Sequence, residues 1–406
     1  MHYNLMFYKP PSAPCSSVLS FQQKDAAFKT IFDAVQPDIL TVNELGAFQD
    51  NSAAQSVLTN VINTQAGRHY TAAAYSNNSF SSITNMLFYD STQFALHSQF
   101  AITNGTGNQT LVRVIDFYRL YHKNGFTSAG DTTFFTVVVA HFKAGSSTRD
   151  QTERRRAAEA VMNTLQSQVP DDAVIMAGDF NIRSANESSY QELTTGTSST
   201  GLKLNDPVNF PGSWNNNATY APLHTQSTHS SSSGCKVGGG LDDRFDFILI
   251  SDSIKDDKDR ISYVLNSYTT IGNDGNKFNT AINQGSNASV SSAVLQALFD
   301  FSDHLPITAE FAVDLQGVGL SANLLQSLRY NNPVRNNELH LRTTGRHGTL
   351  HWRWVDLTGK VLMTRELSAR AQHWRIPLEG FAPGVYLMQI SDSQTGAVRT
   401  YKVVKS

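Results

Sequence analysis

Five places in this sequence set chemically able side chains where an apolar, strand-like run stops: Asn4, Glu44, His141, Asp179 with Asn181, and Asp303 with His304. Carboxylates and amides can hold a hard cation or orient a water, and imidazoles exchange protons near neutral pH. In Phe301-Ser302-Asp303-His304-Leu305-Pro306 an acid and an imidazole stand side by side, just before the apolar run Ile307 to Val313. Neighbouring side chains on an extended segment point to opposite faces, so Asp303 and His304 cannot both serve a core. Singly, each residue has a plain structural reading. Glu44 can cap a turn, Asp179 in Gly-Asp-Phe-Asn can form an Asx-turn, and His141 can be a surface histidine. Jointly, side chains at the strand ends of an α/β sheet converge above one edge, where such sheets hold ligands.

The elements that must position these residues follow from periodicity. Met1 to Phe7 reads as a strand, Lys24 to Val35 as a helix stopped by Pro37, and Asp38 to Glu44 as a strand ending in a carboxylate. Strand, helix, strand is the opening of an α/β domain. Ala53 to Gln65 reads as a helix, followed by short strands at Tyr70 to Ala74, Met86 to Tyr89, Phe94 to Phe100 and Val112 to Tyr121. A strand from Phe134 to Ala140 delivers His141, a helix spans Thr148 to Gln168, and the buried run Val174 to Gly178 delivers Asp179. Residues 194–240 are rich in Ser, Asn and Gly and read mostly as loops over or beside a cleft. Arg244 to Ile250 is a strand whose odd polar residue is Asp246, and Ser291 to Phe299 is a short helix. Many buried strands with few long helices predict stacked mixed sheets flanked by helices. Beyond a lapse near residues 314–325, six short alternating strands predict a small β-sandwich: 339–342, 350–355, 361–367, 373–377, 385–390 and 400–404.

The chain has 406 residues, 40% of them apolar, and a net charge of −2, which fits one large and one small soluble domain. No run reaches the roughly 18 apolar residues a spanning helix needs. From Arg329 onward there are 12 Lys and Arg against 5 Asp and Glu, leaving 20 against 29 before it. An acidic part that faces phosphates needs cations to neutralise its site. Cys15 and Cys235 are either two thiols or one disulfide across a very long loop. The strand-like start predicts that upstream residues, a leader among them, are missing.

Asn43-Glu44, Ala140-His141, Gly178-Asp179-Phe180-Asn181, Arg244-Phe245-Asp246 and Ser302-Asp303-His304 stand in the order of the motifs of the endonuclease/exonuclease/phosphatase superfamily, which the chain resembles over residues 1 to about 313. The resemblance implies a four-layer αββα sandwich, deoxyribonuclease-like, that cleaves phosphoester bonds with a divalent cation, Mg²⁺ before Mn²⁺ or Ca²⁺. It implies Asn4, Glu44 and Asp303 as residues near the metal, Asp179 as the carboxylate that orients or deprotonates water, and Asn181 as the amide on the phosphoryl oxygen. His304, its ring set by Asp246, and His141 would meet the phosphate or pass protons. Within the superfamily, Ala140 to Gly145, Tyr190 to Thr194 and Leu241 to Phe247 resemble secreted bacterial nucleases. Lys143 and Arg149, with Arg154, Arg155 and Arg156, fall where a phosphate backbone could be met, or are a solvated helix face.

The tail has its own resemblance. Asn332-Pro333-Val334, Asp356 to Val361, Leu378 to Leu387 and Tyr401 to Lys405 are similar to the C-terminal sorting domain of type IX secretion in Bacteroidetes. This implies export to the surface or medium through that machinery, with no stable membrane insertion; an adhesive or carbohydrate-binding sandwich is the alternative. The expected organisation is a catalytic domain over 1–315, a linker over 316–328 and a β-sandwich over 329–406. The expected function is a secreted metal-dependent nuclease acting on DNA or RNA. Its rivals are a phosphatase or sphingomyelinase-type enzyme on small or lipid phosphoesters, and a non-catalytic surface binding protein. An apolar membrane-docking hairpin is not evident between Ile102 and Thr133, which favours nucleic acid.

Overall fold

The computed structural model describes the chain except residues 13–14, 17–18, 78–80, 124–131, 170–172, 197–201, 259, 314–327, 336, 344–348, 369–370, 372 and 394–397. Two compact units result, one from residues up to Val313 and one from Leu328 onward. The linker expected over 316–328 lies, apart from Leu328, outside the described residues.

The first unit opens with β1 (His2–Tyr8), α1 (Phe21–Val35) and β2 (Ile39–Gly46). α1 starts ahead of the expected Lys24 because Ser20 and Gln23 form a capping box, each side chain taking up the other's backbone N–H. α2 (Ser52–Val57) runs into a π-turn over Leu58–Ile62. β3 (Tyr70–Ala72), β4 (Ile83–Asp90), β5 (Phe94–Asn104), β6 (Thr110–His122) and β7 (Phe134–His141) follow. α3 (Thr148–Gln168) is the crossover to β8 (Ala173–Asp179), which lies parallel to β7. Then come α4 (Ser188–Thr194), β9 (Leu204–Asn205), β10 (Asp246–Ser251), α5 (Asp252–Lys255), β11 (Ile261–Tyr263), β12 (Thr269–Thr270) and α6 (Ser292–Phe301).

The run expected as one strand over 307–313 is instead two pieces, β13 (Ile307–Thr308) and β14 (Phe311–Val313). β13 joins β1 and β12 in one sheet while β14 pairs with β11 apart from it. The polar step at Thr308 and Glu310 is where the chain changes partner.

Two six-stranded sheets, ordered β12-β13-β1-β2-β4-β3 and β5-β6-β7-β8-β10-β9, pack face to face. Ile39, Leu87 and Tyr89 of the first lie on the face toward Leu120, Val137, Val139, Ile175 and Ile248 of the second. The outer face of the first sheet is covered by α1 and α6, where Phe28, Phe32, Leu298 and Phe301 pack on Tyr3 and Leu5. α3 and α4 cover the second, with Val161, Met162 and Leu193 against Val138, Met176 and Phe247. Strands buried on both faces read as unbroken apolar runs, which is why β7 and β8 were legible as buried. The architecture is the four-layer αββα sandwich.

The described residues of 194–240 are mostly loop, as expected, and part of the segment turns inward. Trp214, His224, Thr225 and Thr228 are fully buried. Their polar groups are spent on backbone: Thr225 Oγ1 accepts from the N–H groups of Phe245 and Asp246 at 3.1 and 3.2 Å, and its carbonyl accepts from Leu305 at 2.7 Å. Cys235, in the same segment, forms a disulfide with Cys15, their Cα atoms 5.1 Å apart.

The second unit is all β. β15 (Arg329–Tyr330), β16 (Glu338–Arg342), β17 (Leu350–Val355), β18 (Val361–Leu367), β19 (His373–Pro377), β20 (Gly384–Asp392) and β21 (Val398–Lys405) form sheets ordered β15-β16-β19 and β18-β17-β20-β21. Trp352, Trp354, Trp374, Leu341 and Ile390 fill its core.

Candidate active site

The site lies at one end of the sandwich, where β7 and β8 deliver their last residues, β10 its first, and β1 and β2 the residues at their register shifts. The first sheet departs from regular pairing there. The β1–β2 register shifts between Asn4 and Tyr8, and the β2–β4 register between Val42 and Leu45. Such bulges re-aim side chains. Glu44 sits at φ 60°, a left-handed conformation that costs a non-glycine residue roughly 1 kcal/mol or more. Its Oε2 accepts the Phe7 N–H at 3.0 Å, which offsets that strain.

In the second sheet the register aligns three polar residues in a row: His141 opposite Asp179, and Asp179 opposite Asp246. Gly178 makes this possible, because a Cβ there would lie 1.9 Å from the Ala140 carbonyl oxygen.

The two sheets meet at Asp179. Asn4 Nδ2 donates to Asp179 Oδ2 at 3.0 Å and to Glu44 Oε1 at 3.2 Å. His141 Nε2 is 3.4 Å from Asp179 Oδ2 and 3.8 Å from Glu44 Oε1, and His304 Nε2 is 3.7 Å from Asp179 Oδ2. Asn181 donates its backbone N–H to Asp179 Oδ1 at 3.1 Å and its Nδ2 to the Phe142 carbonyl at 3.3 Å. His304 Nδ1 is 2.8 Å from Asp246 Oδ2, the pairing the sequence predicts.

Burial pushes the Asp179 carboxyl up to about 7, and burial likewise raises Glu44, with Asp303 adding to it. Burial drives His141 well below the usual imidazole range, Arg113 adding to it, so it is neutral. Burial also opposes charge on His304, but Asp246 and Asp179 outweigh it and hold the ring well above the usual range. Arg113 and His304 supply some positive charge to this pair of carboxylates, yet both carboxyls stay raised, so positive charge is still short.

That shortage is the test for a metal. One oxygen each of Glu44 and Asp179 and one nitrogen of His141 lie within 4.8 Å of one another, a donor set that a divalent cation satisfies. This cluster and the expected set of Asn4, Glu44 and Asp303 share Glu44. Asp303 Oδ2 instead accepts from Val237 N–H at 3.0 Å and Gln226 Nε2 at 3.3 Å, while its charge still reaches Glu44.

The basic residues divide. Lys143 pairs with Asp150 at 3.2 Å and donates to the Ala144 carbonyl, and Arg149 is exposed on the first turn of α3. Arg154 is no phosphate contact: it is fully buried, forks onto Glu187 at 2.5 and 3.0 Å, and also holds the Lys143 and Gly145 carbonyls. Arg155 pairs with Glu159 and Arg156 with Glu153 along the helix.

Sequence reasoning missed several neighbours. His2 is buried with Nε2 3.7 Å from Asp246 Oδ1. Gln226 Nε2 is 2.8 Å from His304 Nε2; a charged His304 is served when the carboxamide turns its oxygen to that nitrogen. Asn85 and Asp116 are buried behind Asn43. Neither carried a signal of its own: Asn85 precedes the run read as Met86 to Tyr89, and Asp116 shares its strand with Arg113 and Arg119.

Comparison with known proteins gives the family of each part of the chain. The model of the Endonuclease/Exonuclease/phosphatase family matches residues 15–304, and that of the secretion system C-terminal sorting domain matches 330–406. No curated protein matches the chain. Similar solved structures include the human Nocturnin catalytic domain with bound sulfate anion (16% identity, 73% of this chain and 88% of that one, TM-score 0.45). D. rerio TDP2 complexed with single strand DNA product is similar at 13% identity, 77% and 97% coverage and TM-score 0.46. So is the Bacteroides thetaiotaomicron mannosyl-6-phosphatase, at 13%, 77% and 98%, and 0.44. The chain belongs to the Endonuclease/Exonuclease/phosphatase family and is a phosphoester hydrolase.

Proposed function

We propose that this protein is an exported, divalent-cation-dependent phosphodiesterase that hydrolyses nucleic acid. The observation that carries the reading is the meeting of Asn4, His141 and His304 on one buried carboxylate, Asp179, beside Glu44. Residues 1–315 would be the catalytic part. Residues 329–406 would address the chain to the type IX secretion machinery, the reading the sorting-domain match supports. Among the described residues no helix is long and apolar enough to cross a membrane.

Glu44, His141 and Asp179 would hold the cation, with Asn4 and Asp303 beside them; Mg²⁺ suits these mostly oxygen donors and, when bound, supplies positive charge to the phosphoryl oxygens. Asp179 takes a proton from the attacking water once its own carboxyl is ionised. Asn181, held at Asp179 Oδ1 and the Phe142 carbonyl, keeps one amide N–H for a phosphoryl oxygen. His304, charged by Asp246, stabilises the same developing charge. Where the cation takes only carboxylate oxygens, neutral His141 would keep an N–H to offer the departing oxygen.

The test is hydrolysis of plasmid DNA, RNA, bis-p-nitrophenyl phosphate, p-nitrophenyl phosphate and sphingomyelin, each with Mg²⁺, Mn²⁺, Ca²⁺ or chelator. Cation-dependent cleavage of DNA or RNA is expected. Turnover of the monoester or the lipid alone would replace this reading with a phosphatase or sphingomyelinase.

A further inference from the structure

A second polar system lies behind the site, inside the sandwich and out of reach of substrate. Asn43 and Asn85 belong to the first sheet and Asp116 to the second, and each is 2% exposed or less. They form an unbroken run of donors and acceptors. The Asp179 backbone N–H donates to Asn43 Oδ1 at 2.8 Å, Asn43 Nδ2 donates to Asn85 Oδ1 at 2.7 Å, and Asn85 Nδ2 donates to Asp116 Oδ2 at 2.9 Å. Every dipole points toward the carboxylate. Hydrogen bonds aligned in this way polarise one another in a low-dielectric interior, so a charge at Asp116 strengthens the bond at the far end, on Asp179. Asn85 Nδ2 also lies 3.0 Å from the Val114 carbonyl and 3.3 Å from that of Val139, which ties the run to β6 and β7. The other Asp116 oxygen accepts from Ser76 Oγ.

Stability alone does not account for this arrangement. Apolar residues of similar volume would hold two apolar sheets together without burying an acid, and burial pushes the Asp116 carboxyl up to about 7. What the run does is fix the first backbone amide of the Asp179 turn against β2, one residue before Glu44.

We propose that Asp116 is a positioning residue: through Asn85 and Asn43 it locks the Asp179 backbone, and with it the register between Asp179 and Glu44. This rests on the reading of Asp179 and Glu44 as the reacting pair.

The test compares wild type with Asp116→Asn, which keeps shape and one acceptor but removes the charge. We expect kcat on the cleaved diester to fall about 10-fold with KM within about two-fold, the size seen when a partner behind a catalytic group is lost. The melting temperature should hold or rise. A merely structural residue would lose stability and leave kcat unchanged. Asn85→Leu, which breaks the run at its centre, should lower kcat at least as much, and adding Asp116→Asn to it should change nothing further. The Asp179 amide proton, read by NMR, should move upfield and exchange faster in Asp116→Asn. Unchanged kcat and an unchanged Asp179 amide would overturn the proposal, as would simple additivity of the two variants. If wild type cleaves no phosphoester while the amide resonance still moves, the functional reading fails and the coupling stands.

Discussion

The two ends of the catalytic sandwich are made by the same strands and differ in what lies between the sheets. At one end the space is filled by Asn4, Asn43, Asn85, Asp116, His141 and Asp179, joined by hydrogen bonds. At the other the same sheets leave a cavity of about 650 Å³ whose walls include Ile39, Phe94, Phe135, Val137, Ile175 and Ile248. Apolar side chains pack by shape and tolerate a void, whereas buried polar groups must each find a partner. The polar end is therefore the determined one, and it is where the backbone is bent out of register and Glu44 takes its left-handed conformation. Stability is given up at that end for a fixed arrangement of the groups proposed to react.

The sharpest break in this comparison is Glu44→Ala. It should cut cation-dependent hydrolysis about 10³-fold while circular dichroism and melting stay close to wild type, because Glu44 holds chemistry rather than core. Wild-type activity in that variant would remove Glu44 from the site. Next is Cys15→Ser, which opens the link to the loop whose Val237 N–H holds Asp303. A loss of about 3 kcal/mol in denaturant titrations is expected, with a matching loss in wild type treated with thiol.

Asp116 tests what polarity costs at the same end. Its folded pKa, about 7, lies above the ordinary aspartate value of 3.8, so the folded state binds the proton more tightly. The stability this gives is fully present below about pH 4 and is lost as pH rises through about 7. The melting temperature of Asp116→Asn relative to wild type should therefore climb across that window and level off above it; a constant gap would mean that Asp116 does not titrate there. The smallest effect belongs to the far end. Val137→Ile adds one methylene to the cavity wall and should stabilise by about 1 kcal/mol, roughly 3 °C in melting temperature, with kcat unchanged. A change in kcat would show that the two ends are coupled.

Much of the fold was legible because its signals are local. The double-sided burial of β7 and β8, the periodic helices and the alternating strands of the second unit each follow from a short window of sequence. Phe311 misled, since a run from Ile307 to Val313 gives no sign that its two halves pair with different sheets. Residues 194–240, read as loops over or beside a cleft, do border the site through Gln226 and Val237. Their serines, threonines and asparagines look like surface, but Thr225 and its neighbours use hydroxyls and carbonyls to satisfy backbone beneath them. Arg154 looked like one of three similar arginines until Glu187, 33 residues away, was found against it.

By itself the sequence determined which residue types stand at strand ends, and hence the kind of chemistry the protein can hold, because strand period and chain order are fixed by covalent neighbours. Tertiary structure alone decided that Asn4 and Asp179, 175 residues apart, share a hydrogen bond, that Cys15 meets Cys235, and that Asp116 acts on Asp179 through two amides. Those contacts cross between two sheets, and the register of one sheet over another is set by how all the side chains between them pack at once.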